Sequence, residues 1–326
     1  MTNVKLTMAL AHYDRHIPFF DGSLEVPDGL DLTVLQVGQS TPLKDGANRH
    51  ERMIQKREFD VAEVSLSSYL MAKNRGAPLT AVPVFPRRLF SQSQIYVNIR
   101  AHIESPKDLI TKRVGLSSFQ TTLSVLAKGD LQREYGVPWL KVEWVLSKEE
   151  NVPFLPREGV SLQRVPEGKK IGRMLEEGEI DALIMPHPPK SIMRGSKEVR
   201  RLFADARKEE RKYFQKNGFY PIMHVLAVKE ELMEKEPWLA GSLMALFDEA
   251  KRITAEYYDD PNWSHLAWGR HCFEEQREKL GEDVWPSGVL KNRASLERFI
   301  EYSLDQGLME RKMEVEDLFA ESVRHT

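Results

Sequence analysis

Short apolar runs at 5–10, 32–37, 61–64, 79–84, 94–98, 113–116, 141–146, 161–165, 182–185 and 222–228 alternate with stretches of helical period. Each run has the length of a strand, and alternation of this kind predicts βαβ units and a mainly parallel sheet. A chain of 326 residues is long for one core, so two lobes are expected. Local signals place several boundaries. Ser105-Pro106-Lys107-Asp108 supplies an N-cap hydroxyl, a proline at the first helical position and an acid in the first turn. The stretch 119–135 reads as an amphipathic helix ended by Gly136, with Pro138 beyond it. Residues 230–257 read as one long helix, and the chain after them as almost wholly helical. The segment 147–159, rich in Pro, Glu and Lys, reads as an exposed loop.

Composition narrows the function. A formal net charge of −2 gives no basic field to gather nucleic acid. The apolar run 222–228 is far too short to cross a bilayer, so no membrane partner is expected. Residues 1–3 lead straight into a run at 4–10 that reads as a first strand rather than an export signal, and Cys272 is the single cysteine. Together these point to the cytoplasm, with no internal disulfide and no multi-cysteine metal site. His12 and His16 are four apart but follow a strand, and no third ligand completes a zinc spacing, so no metal is expected.

Ligands in open parallel sheets bind beyond the carboxyl ends of strands. Those positions carry His12-Tyr13-Asp14-Arg15-His16 after the first strand, and Ser65, Ser67 and Ser68 after Glu63. They also carry Arg87-Arg88, the run Ser117-Ser118-Phe119-Gln120-Thr121-Thr122, and His187 between Pro186 and Pro188. The hydroxyls and amide at Ser117, Gln120 and Thr121 open a helix whose free N–H groups favour an anion; the plainer reading is a simple N-cap. Arg87 and Arg88 form a pair that can clamp a carboxylate or merely be solvated. His224 sits among apolar neighbours, where a satisfied core histidine is the commoner outcome. Trp263, Trp268 and Trp285 read as packing residues.

Several segments resemble the 4,5-dihydroxyphthalate decarboxylase family. They are Tyr13-Asp14-Arg15, the run from Glu58 to Tyr69, Val82-Pro83-Val84-Phe85-Pro86-Arg87-Arg88, Gln94-Ile95-Tyr96-Val97-Asn98, and the run from Leu131 to Val137. Gly178-Glu179-Ile180-Asp181-Ala182-Leu183, Pro221-Ile222-Met223-His224 and Trp285-Pro286-Ser287-Gly288 with Asn292-Arg293 complete the set. The resemblance implies an α/β, two-lobed type-2 periplasmic-binding-protein-like fold with a hinge. Lobe one would comprise 1–98 plus 214–326, and lobe two 99–213.

It also implies a cofactor-independent decarboxylase that converts 4,5-dihydroxyphthalate to 3,4-dihydroxybenzoate and CO2 in the cleft between lobes. The competing expectation is a solute-binding protein for a small organic anion. On the enzyme reading, Arg15 or Arg87 fixes the carboxylate that stays, with Ser117, Gln120 and Thr121 completing the anion site. Tyr13, Ser65, Ser67 and Arg88 are further substrate contacts. His12, His187 and His224 are candidates for proton transfer, and Asp14 or Glu63 orients a histidine or takes a phenolic proton. The expected partner is a small aromatic carboxylate, and assembly into a homo-oligomer is left open.

Overall fold

The computed structural model describes residues 3–38 and 49–326, and it divides the chain into two compact units. The first comprises residues 1–88, 224–297 and 313–326, and the second 89–223 and 298–312.

In the first unit, β1 (Val4–Leu10), β2 (Leu30–Gln36), β3 (Val61–Ser65), β4 (Leu79–Val82) and β11 (His224–Lys229) form one sheet in the order β2-β1-β3-β11-β4. β1 pairs in parallel with β2 and β3, whereas β11 runs antiparallel to both its neighbours. β3 and β4 are buried at every position, as their near-continuous apolar sequences require, while β2 alternates and presents one face to solvent. The helix Trp238–Tyr257 lays Leu239, Leu243, Leu246, Phe247 and Ala250 into the core formed by Leu6, Met8, Val61, Leu226 and Val228.

The second unit holds β5 (Ile95–Asn98), β6 (Arg113–Leu116), β7 (Glu143–Leu146), β8 (Ser161–Arg164), β9 (Ala182–Ile184) and β10 (Val199–Arg201), ordered β10-β5-β9-β6-β7-β8. Here β5 is the reversed strand, antiparallel to β9 and β10, and the remaining neighbours pair in parallel. Both sheets are therefore mixed, each with one reversed strand in an otherwise parallel set. The strand β10 carries no sequence signal, being the three residues Val199-Arg200-Arg201 with one charged side chain exposed.

Three expectations need adjustment. The boundaries of the compact units differ from 98/99 and 213/214, because β5 belongs to the second sheet and residues 298–312 join the second unit. The stretch 230–257 is two helices, Glu230–Lys235 and Trp238–Tyr257, since Pro237 cannot donate into a continuous helix and forces Glu236 to a non-helical φ of −131°. The helix expected at 119–135 begins at Thr122 and is not amphipathic: Thr122 to Leu131 are all buried. Its end does match, with Gly136 at φ +66° donating its N–H to Gln132. Residues 206–217 and 230–305 carry most of the remaining helix, and among the described residues no helix is long and apolar enough to cross a membrane.

Candidate active site

Glu63 is the anomaly from which the site grows. It sits at the centre of β3, fully buried, in a run of Val and Ala that would otherwise be pure core. A buried carboxylate needs a cation and a full set of donors, and the first unit supplies both. The Ala11 N–H donates to Oε2 at 3.0 Å, and the Arg49 guanidinium lies 3.2 Å from the same oxygen. The Tyr13 hydroxyl donates to Oε1 at 3.2 Å, and His224 Nδ1 reaches Oε1 at 2.5 Å.

Arg49 is held independently. Its Nε donates to the Glu63 carbonyl at 2.6 Å, and its Nη1 to the Val37 carbonyl. Burial alone would raise the Glu63 pKa, but Arg49 and the His224 N–H outweigh it and hold the carboxyl well below the usual carboxylate range. Glu63 is an anion saturated by its own neighbours. It can orient a histidine but has no lone pair left for a substrate proton.

His224 opens β11 directly opposite Ser65 of β3, so Glu63 is its diagonal cross-strand neighbour. Burial, partly offset by Glu63, lowers its pKa to about 4, so the ring is neutral near pH 7 with its proton on Nδ1. The resulting array is carboxylate, imidazole and an Nε2 lone pair with no partner among the described residues, the arrangement that orients a catalytic base. Beside it stands His50, half-buried, whose Nδ1 accepts the Ser65 N–H at 3.0 Å. The two imidazole rings are 5.0 Å apart between centroids, tilted at 67°. Burial, His224 and Arg49 drive the His50 pKa well below its ordinary value. Burial and the Glu63 charge keep the Tyr13 phenol protonated.

Arg87 is half-buried, and its positive charge disfavours protonation of both histidines. Among the described residues its guanidinium has no hydrogen-bond or ion-pair partner. The other basic candidates are engaged. Arg15 donates from Nε to the Pro86 carbonyl at 2.9 Å, pairs with Asp14 at 3.2 Å and lies between the rings of Tyr13 and Trp285, at 4.3 and 3.8 Å. Arg88 is buried and donates to the Asn292 side-chain oxygen at 2.5 Å and the Pro286 carbonyl at 3.1 Å. Both brace the segment around Trp285 by cation–π contact and hydrogen bonding, and Arg15 also rests on Tyr13 of the Glu63 network.

Asp14 accepts the Tyr258 hydroxyl at 2.7 Å and the Arg15 N–H at 2.7 Å, and orients no histidine. His12 is exposed and packs on Phe20. Ser65 caps the helix Leu66–Asn74, its hydroxyl accepting the Ser68 N–H at 3.4 Å, and Ser67 is fully buried within that helix. Of the three tryptophans expected to pack, Trp263 stacks on Tyr257 and Trp285 carries Arg15, but Trp268 is 75% exposed and is not a packing residue.

In the second unit the expected anion position is already filled from within. The Glu150 carboxylate accepts the N–H groups of Phe119 and Gln120 at 2.6 and 3.2 Å, where the backbone turns toward the helix. The Gln120 amide is tied to Val152, donating to its carbonyl at 2.7 Å and accepting its N–H at 3.0 Å. This pins the 147–159 loop, which is exposed along most of its length but not at Val152. Thr121 shares a hydrogen bond with the Ser124 hydroxyl at 2.6 Å, and the Ser117 carbonyl accepts the Lys148 N–H at 2.8 Å. His187 is exposed.

Arg49 and His50 were not singled out by sequence reasoning, because they lie beyond no strand end. A signal was available: an acid inside Val61-Ala62-Glu63-Val64 demands a cation, and Arg49-His50 leads the short helix just before that strand. Among the described residues no group of three or more His, Cys, Asp or Glu is arranged to hold a metal ion.

No family model matches the chain. It is 33% identical over 328 residues to a 4,5-dihydroxyphthalate decarboxylase of Comamonas testosteroni, a match covering 98% of this chain and 97% of that one. A 4,5-dihydroxyphthalate decarboxylase of Pseudomonas putida is 32% identical over 212 residues, covering 63% of this chain and 79% of the relative. Among solved structures, the periplasmic aliphatic sulphonate binding protein SsuA of Escherichia coli is similar with a TM-score of 0.56 at 12% identity, covering 99% of each chain. At that identity the likeness is one of fold: a periplasmic-binding-protein architecture.

Proposed function

The chain belongs to the 4,5-dihydroxyphthalate decarboxylase family, and from that premise we propose that it is a carboxy-lyase acting on 4,5-dihydroxyphthalate. The products are 3,4-dihydroxybenzoate and CO2. The observation that carries the reading is the full-length likeness to a named decarboxylase, and the Glu63–His224 pair gives this chain a means to do the chemistry.

Direct loss of CO2 would leave an aryl carbanion, so the ring must first be made to accept a proton at the carboxyl-bearing carbon. The hydroxyl para to that carbon provides the electrons. His224 Nε2 takes its proton, the O–H pair moves into the ring, and the ring carbon forms a new C–H bond with a proton from an acid. The C–C bond to the carboxylate then breaks, its electron pair restores aromaticity, and the hydroxyl recovers its proton. Glu63 stabilises the imidazolium formed in the first step without taking the proton itself. Arg87, half-buried and without a hydrogen-bond or ion-pair partner among the described residues, is the cation that fits the carboxylate that remains.

We place the enzyme in the cytoplasm, where its exposed free thiol at Cys272 stays reduced. The deciding experiment incubates purified protein with 4,5-dihydroxyphthalate and follows CO2 and 3,4-dihydroxybenzoate. His224→Asn is expected to lower kcat by about 10²–10⁴-fold with ligand affinity largely kept. Tight binding with no CO2 from the parent protein would return the solute-binding reading.

A further inference from the structure

The two imidazoles beside Glu63 are anchored to the same strand by opposite chemistry. Glu63 and Ser65 are two apart on β3, one anchoring through its carboxylate and the other through its backbone N–H. A carboxylate can only accept a hydrogen bond and a peptide N–H can only donate one. His224, bound to the Glu63 carboxylate, therefore carries its proton on Nδ1 and leaves a lone pair at Nε2. His50, whose Nδ1 accepts the Ser65 N–H, carries its proton on Nε2 and leaves a donor there. The ring centroids are 5.0 Å apart with their planes at 67°, so one acceptor nitrogen and one donor nitrogen belong to neighbouring rings. A flip of the His50 ring would replace Nδ1 by carbon and strand the Ser65 N–H, so the tautomer is set by the backbone.

We propose that His224 and His50 form a matched acceptor–donor pair for two adjacent ring hydroxyls, with His50 the residue that selects a 1,2-dihydroxylated ring. Which ring reaches the pair rests on the decarboxylase reading above. The hydroxyl para to the departing carboxylate gives its proton to His224 Nε2: its O–H bond breaks, an N–H bond forms, and the electron pair stays on oxygen. The neighbouring hydroxyl donates to that new phenolate and accepts from the His50 Nε2–H. The result is a donor chain, His50 N–H to hydroxyl to phenolate, in which each bond polarises the next. A ring with one hydroxyl leaves the His50 donor unmatched, and a site built to bond a hydroxyl discriminates strongly against an analogue without it. Neutral His50 is suited to this task, because a cationic ring would also serve an isolated phenolate and lose the selectivity.

The test compares kcat/KM for 4,5-dihydroxyphthalate and 4-hydroxyphthalate in the parent protein and in His50→Asn. Asparagine Oδ1 replaces Nδ1 as acceptor for the Ser65 N–H but has no donor at the Nε2 position. The preference for the dihydroxy substrate is expected to fall at least about tenfold in the variant; an unchanged preference overturns the proposal. Affinities for 3,4-dihydroxybenzoate and 3-hydroxybenzoate are measured alongside, because that ratio requires no turnover. If the parent protein releases no CO2, the decarboxylase reading fails, and the affinity ratio still decides the role of His50. Should His50→Asn not fold, ring-nitrogen NMR of the parent protein decides instead. Protons on His224 Nδ1 and His50 Nε2 support the pair, and any other protonation pattern overturns it.

Discussion

At the scale of single residues, the consequences of burying charge dominate. Glu63→Gln removes the anion that compensates buried Arg49, and the protein is expected to lose about 3–5 kcal/mol of stability, read from urea midpoints. Acid should act in the same direction through His16, which is buried and whose pKa burial lowers to about 4. Such a histidine takes up a proton on unfolding. Its contribution is therefore complete above about pH 6.5 and is lost as pH falls toward 4, a difference of about 3 kcal/mol.

Asp130 in the second unit has the opposite sign. It is buried, accepts the hydroxyls of Ser91, Tyr302 and Tyr213 at 2.6, 3.1 and 3.3 Å, and burial raises its pKa to about 7. The native state keeps a proton there that the unfolded chain releases, so this group costs stability as pH rises from about 4 to 7. Asp130→Asn should gain on the parent protein by on the order of 3 kcal/mol between pH 4.5 and 7.5; equal urea midpoint shifts in both proteins would refute this. The proton acceptor His224 should titrate out of activity only near pH 4, leaving kcat/KM free of its influence through neutrality. Glu63 and His224 were legible in the sequence as polar groups inside apolar strands. Their partners were not read, because Arg49 and His50 lie on no strand and reach the site only once the helix they open packs beside β3.

At the scale of elements, strands were easier to read than helices. Period-2 and all-apolar runs located β1 to β9 and β11 to within a few residues, since burial on a sheet leaves a compositional trace. The helix Thr122–Tyr135 misled because its outer face is also covered: the Tyr302 ring lies against Gly129, and the Gln306 amide donates to the Val125 carbonyl at 2.8 Å. A helix sealed on all sides loses its amphipathic period. This gives a sharp test at Gly129. Helix propensity alone says that Gly129→Ala should stabilise by about 1 kcal/mol. A Cβ there would stand 2.2 Å from Tyr302 Cδ2, so the strain should win and the variant lose about 1–3 kcal/mol. A rise in Tm would show that the Tyr302 ring moves aside without penalty.

At the scale of the whole molecule, neither unit is a continuous stretch of chain. The strand β11 fills the place between β3 and β4, in the interior of the first sheet, and brings His224 with it. A fragment ending at Met223 would leave β3 and β4 with unpaired inner edges and a core missing Leu226 and Val228. It is expected to show no protected amides in β1, β3 or β4 by hydrogen exchange; native-like protection would mean that the sheet closes without its central strand. This discontinuity was legible only through family resemblance, because no local signal in residues 222–228 says which sheet the run will join.

The late arrival of β11 also sets a clock for synthesis. His224 leaves the ribosome 159 residues after Ser65, its partner across the sheet, a delay of about 10–30 s at ~5–20 residues per second. For that interval β3, buried at every position in the finished protein, has an open edge, with a carboxylate at its centre and no histidine to meet it. An open edge of this kind is an aggregation hazard, so the yield of the protein is expected to depend on chaperone supply and elongation rate more than on the stability of the finished fold.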